Sequence, residues 1–115
     1  MPDTAETTQD DVFQAYQNLY ELMDKAYWTA STIQDKDRIR GIEDAISDIL
    51  TALNAADIKA RTQDYADCKN LVDATNHRLD KLKSQIDSII HVVKIATQVV
   101  KAAEDAVKLA AKFFV

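Results

Sequence analysis

Residues 65–115 read YADCKNLVDATNHRLDKLKSQIDSIIHVVKIATQVVKAAEDAVKLAAKFFV, and their spacing decides the fold. Tyr65, Cys68, Val72, Thr75, Leu79, Leu82, Ile86, Ile89, Val93, Ala96, Val100, Ala103, Val107, Ala110 and Phe114 recur at alternating steps of three and four. That is the heptad seam of an α-helix burying one stripe. The phase never slips over about fifty residues, which as one straight helix would be about 75 Å long. A compact domain of 115 residues is only about 35 Å across, from a radius of gyration near 13 Å. Two architectures follow. The unbroken phase predicts an antiparallel bundle of three helices with a long, heptad-patterned C-terminal helix over 58–114. The size mismatch predicts the alternative, a four-helix bundle with a break at Thr75-Asn76-His77.

Upstream, the same periodicity predicts two shorter helices. Thr8 is the expected N-cap, with Asp10 and Asp11 in the first turn where the helix dipole favours acids. Val12, Tyr16, Leu19, Met23, Ala26, Ala30 and Ile33 form a seam over 8–33, widened by Phe13, Tyr20 and Tyr27. Residues 31–37 read as a loop. Ile39, Ile42, Ile46, Ile49, Leu53 and Ala56, with Leu50 alongside, define a second helix over 36–55. Extending its phase misses the third seam by neither three nor four residues, so a turn falls between Asn54 and Asp64, where Asn54, Asp57 and Thr62 are available as caps. Residues 1–7 read as a flexible polar tail and 8–115 as one domain.

Composition points the same way. The chain has one glycine and one proline, against roughly eight and six at average usage. Hairpin turns, phosphate loops and nucleophile elbows need such residues, so all-β, Rossmann and P-loop folds are excluded. Gly41, the only internal one, falls on the outward side of the second helix at a cost of about 1 kcal/mol relative to alanine. Nineteen acids against fourteen bases give a net charge of −5, with no basic stripe of the kind nucleic-acid binding requires. A single cysteine, Cys68, allows no intrachain disulfide and suits a reducing compartment. The N-terminus lacks a basic region followed by an apolar one, so the expected location is cytoplasmic, with leaderless secretion as the other route. No apolar stretch is long enough to span a bilayer.

In the C-terminal half of the last helix four of the seven heptad columns are apolar, an arc of about 200°. A short helical hairpin would leave that half uncovered, and such a patch marks a self-association surface, a partner site or a membrane interface. Ile89, Val92, Val93, Ile95, Val99, Val100, Val107, Leu109, Phe113 and Phe114 are therefore candidate interface residues. Burial inside a bundle that bends back is the alternative. Trp28 shares an outer column with Gln14 and Glu21, and beside Tyr27 it reads as an interface anchor or as a lid on the 31–37 loop. One further column runs Asp73, Asp80, Asp87, Lys94, Lys101, Lys108. Its sign switch has a common midpoint between residues 90 and 91, which suits antiparallel pairing of two copies, although exposed pairs contribute only about 0–1 kcal/mol each.

Catalytic candidates are few. His77 and His91 lie about 21 Å apart on an unbroken helix and cannot share a metal within one chain. No Glu-x-x-His or His-x-x-x-His occurs, so the ligand sets of di-metal bundles and zinc proteases are missing. Cys68 reads as a buried core thiol, and pairs such as Asp44 and Asp48 as a solvated acidic face. The sequence thus predicts a non-enzymatic helical interaction module without cofactor or metal. Its expected partner is a second copy, a dimer being favoured, or another helical protein, and not nucleic acid. One alternative is a membrane-active protein whose amphipathic C-terminal helix binds lipid interfaces through Lys94, Lys101, Lys108 and Lys112. Another is a small acidic immunity or chaperone-like binding protein.

Overall fold

The structure, a computed structural model, describes residues 7–54 and 57–114. Among them are five helices and no strand: α1 (Gln9–Thr29), α2 (Ile33–Leu53), α3 (Thr62–Ser84), the single turn α4 (Ile86–Ile89) and α5 (Val93–Phe113), with a 3-10 turn at Ile58–Ala60. Of the expected tail, residues 1–6 lie outside the described residues, as do Ala56 of the second seam and the terminal Val115.

α1 starts where the sequence predicts. The Asp11 amide donates to Thr8 Oγ1 at 3.1 Å, and the Thr8 amide donates to Asp11 Oδ2 at 2.9 Å. This capping box satisfies two amides that have no partner within the helix. Val12, Tyr16, Leu19, Met23, Ala26 and Ala30 are buried as the seam requires. The expected end at 33 and the loop at 31–37 are corrected: α1 stops at Thr29, and α2 already begins at Ile33. A second Thr-x-x-Asp is the cause, since the Asp35 amide donates to Thr32 Oγ1 at 3.1 Å and Asp35 sits favourably in the first turn. Polar residues that resemble a loop are here the opening of a helix, and Ile33 is its first residue rather than the last of a seam.

In α2 the residues Ile39, Ile42, Ile46, Ile49 and Leu53 are buried. The expected turn falls in place: α2 ends before Asn54, and Asp57 Oδ1 caps the 3-10 turn by accepting from the Lys59 amide at 3.2 Å.

The continuous helix over 58–114 is also corrected. The chain runs unbroken through 75–77 and turns instead at residues 85–92. At the expected break the polar groups are used. The Thr75 hydroxyl donates to the Leu71 carbonyl at 2.8 Å, and Asn76 Oδ1 accepts from the Tyr16 hydroxyl at 2.7 Å, tying α3 to α1. At the actual break Ile86, Ile89, Ile90, Val92 and Val93 crowd together, and β-branched side chains lose rotamer freedom in a helix. Ser84 and Ser88 hydroxyls donate to the carbonyls of Lys81 and Gln85. Ile90 and Val92 are extended, and Ile89 and Ile90 are buried, which anchors the turn in the core.

This turn re-aims the apolar arc. In α3 the buried residues are those of the seam: Cys68, Val72, Thr75, Leu79 and Leu82. In α5 the stripe rotates by a column, so that Val99, Ala106 and Phe113 join Ala96, Ala103 and Ala110 in the core while Val93 is exposed and Val100 and Val107 are half-buried. α1 packs against both α2 and α5, and α3 packs against α2 and also meets α5. Gln9 at the start of α1 bonds the Leu53 carbonyl at the end of α2, and Arg38 near the start of α2 bonds Gln85 just past the end of α3, so successive helices run antiparallel. The longest dimension is 43 Å rather than the ~75 Å of one straight helix. The accessible surface of 6722 Å² is close to the roughly 6300 Å² expected of a monomer of this mass.

Candidate functional site

Antiparallel helices with short connections give the molecule two ends. One holds the start of α1, the end of α2, the start of α3 and the end of α5. It is closed by aromatic packing: the rings of Tyr65 and Phe114 are 5.4 Å apart, those of Phe113 and Phe114 4.9 Å and edge-on. Lys59 Nζ sits 4.4 Å from the centroid of Phe113. The Gln9 side chain both donates to the Leu53 carbonyl at 2.7 Å and accepts from the Ile58 amide at 2.9 Å. Phe113 and Phe114, expected on an exposed interface, are buried here.

The other end carries the α1–α2 connection and the α3–α5 turn. Large apolar side chains remain in solvent there: Trp28 is 70% exposed, Ile33 75%, Val92 41% and Val93 78%. Trp28 meets Tyr27 edge-on at 5.3 Å. Lys36 Nζ lies 5.0 Å from the Tyr27 ring and 5.7 Å from the Trp28 ring, and the Arg40 guanidinium 4.2 Å from Tyr27. These are cation–π distances, and the indole stays open to solvent. An exposed Trp with Tyr and Arg nearby has the composition of an interface anchor.

The other interface candidates divide by depth. Ile89 and Val99 are buried, Ile95, Val107 and Leu109 are half-buried against the core, and Val100 is half-buried. The Asp/Lys column is split by the turn, with Asp73 and Asp80 on α3, Asp87 on α4 and Lys94, Lys101 and Lys108 on α5. All six are exposed; Asp73 pairs with Lys69 at 3.1 Å and Asp80 with Lys83 at 3.6 Å, within α3. Asp87 and Lys101 line one shallow hollow between α4 and α5.

Charge follows the same axis. Residues 19–43 and 73–103, the half next to the open end, hold nine Lys/Arg and eight Asp/Glu, whereas the rest of the described residues hold five and nine. The open end is close to charge balance and the closed end is acidic.

Of the groups with chemical potential, Cys68 is buried and burial pushes its thiol up to about 11, so it is a neutral core side chain. His77 and His91 are exposed on different segments. Among the described residues no group of three or more His, Cys, Asp or Glu is placed to hold a metal ion. No helix is long and apolar enough to cross a membrane.

Sequence reasoning missed two features. Glu43 is fully buried in α2 with neither carboxylate oxygen hydrogen-bonded. Burial pushes its carboxyl up to about 7; nearby Arg40 opposes the rise and Asp24 adds to it. It falls just beside the Ile39–Ile42–Ile46 seam, and only its charge conceals that it lies on the inward face. The second is Ile33, whose exposure follows from the Thr32 cap.

Comparison of the chain with protein-family models, with characterised proteins and with solved structures finds no match.

Proposed function

We propose that the protein is a non-catalytic helical interaction module, an up-down-up-down bundle of its four long helices that self-associates through its open end. One observation carries the reading: of the five large apolar side chains exposed among the described residues, Trp28, Ile33, Val92 and Val93 share that end. A second copy is the favoured occupant because of charge. With nine bases and eight acids in that half, two such ends meet without net repulsion, which a surface of one sign would not allow. The reading keeps the self-association expected from the sequence and moves its surface. The C-terminal face that suggested it supplies core residues along α1, and the straight Asp/Lys column required for antiparallel pairing is divided between helices. No cofactor enters the reading.

Sedimentation velocity from micromolar to near-millimolar protein tests it. The wild type is expected to shift from monomer to dimer, and Trp28→Ala with Val93→Asp to remain monomeric. A wild type that stays monomeric throughout would overturn it.

The second reading is docking to an anionic membrane surface, favoured by Lys36, Arg40 and Lys94 near the exposed Trp28 and Val93. Co-sedimentation with phosphatidylglycerol vesicles separates the two: lipid binding by a monomer supports the membrane, and lipid-indifferent dimers support self-association.

A further inference from the structure

We propose that the groove between α2 and α3, on the flank beside the open end, binds a single-chain carboxylate amphiphile, a molecule of the fatty-acid type. The groove is open and measures about 310 Å³, the low end of small-molecule sites. Its surface is predominantly apolar, with Ile42 from α2, Leu82 from α3 and Ile89 from α4 at its base. Arg38, Arg78 and Lys81 line it against one acid, Asp37. In a chain of net charge −5, three cations around an apolar hollow run against the overall balance and select an anion joined to an apolar chain. Arginine is the side chain best matched to a carboxylate, which it can engage with two parallel hydrogen bonds. Both guanidiniums are held at the groove: Arg38 donates to the Gln85 side chain and Arg78 Nη1 to the Gly41 carbonyl at 3.4 Å.

Gly41 supplies the independent observation. Nothing in the fold requires it. Its φ is not positive, and an added Cβ would meet only Arg78 Nη1 at an ordinary 4.0 Å. Alanine would fit and would be the better helix former. What the missing side chain leaves is open space in the groove, where an apolar chain can lie directly on the backbone of α2. The apolar base selects a free amphiphile over a bilayer lipid, because a phospholipid whose tails stay in the membrane would leave that base uncovered.

An amide NMR titration with decanoate below its micelle concentration tests the site, with decyltrimethylammonium and acetate as controls for charge and for the anion alone. Decanoate is expected to move the amides of residues 38–42 and 78–89 saturably, and neither control to do so. Gly41→Leu, which fills the groove, and the double variant Arg78→Gln with Lys81→Gln are each expected to weaken binding about tenfold, with helical circular dichroism retained. Equal shifts with decyltrimethylammonium, undiminished binding by folded Gly41→Leu, or shifts centred on Trp28 and Val93 would overturn the proposal. Since the groove is not the self-association surface, its failure leaves the dimer measurement unaffected.

Discussion

At one end of the molecule Tyr65, Phe113 and Phe114 fold their rings over the helix termini, and Gln9 ties α1 to the last residue of α2 and to Ile58 beyond it. At the other end Trp28, Ile33, Val92 and Val93 stand in solvent, and cations from the next helix flank the aromatic pair. Each end has aromatic and branched side chains at its disposal. The difference is where the chain returns: the 85–92 turn sends α5 back along α1, so that its C-terminal phenylalanines reach the closed end and its first residues are left at the open one. An exposed apolar residue at the open end is therefore not a gap in core formation but what remains after the core is complete.

The sharpest way to break this contrast is at the closed end. Phe113→Ala is expected to destabilise by about 3–5 kcal/mol in urea denaturation, the cost of removing a buried aromatic ring. A loss under about 1 kcal/mol would mean that the phenylalanine pair does not close the core and that the two ends are alike.

A second effect lies between the ends, at Glu43. Its folded-state carboxyl titrates near 7, above the ordinary value of 4.5. The folded protein thus favours the protonated form, so the contribution of this residue to stability is greatest below 4.5, declines as pH rises towards 7 and is then constant. Glu43→Gln cannot ionise. It is expected to flatten this pH dependence and, above about pH 8, to be more stable than the wild type by about 1–3 kcal/mol. Denaturation curves that retain the wild-type slope between pH 4.5 and 7 would show that the buried carboxyl is not its source.

The smallest stability effect belongs to the open end. Trp28→Ala is expected to change the free energy of unfolding by less than about 0.5 kcal/mol, because a mostly exposed side chain removes little from the core. A loss comparable to that of Phe113→Ala would remove the contrast altogether.

Much of this fold was legible in the sequence, for identifiable reasons. The seams of α1 and α2 and the Thr8 cap follow from apolar spacing and cap chemistry, both local properties. The turn at 85–92 was not legible from periodicity, because four adjacent apolar columns in the last segment let the heptad phase run on whichever columns form the core. The β-branched cluster Ile86–Val93 was the local signal, and the lack of Gly or Pro concealed it. Asn76 suggested a break for the opposite reason. Its polarity is used inside the fold by Tyr16, a partner sixty residues away in sequence. Of the candidate interface residues, Trp28, Val92 and Val93 remain exposed; Phe113, Phe114 and Val99 could not be distinguished from them until the packing of α5 on α1 was known.

The bundle is proposed to associate through the end that carries Trp28. Amide NMR spectra recorded across a concentration series test it most directly. The predicted result is that concentration-dependent shifts are confined to residues 27–36 and 90–95. Shifts spread along 99–114, or spectra unchanged from micromolar to near-millimolar protein, would contradict it.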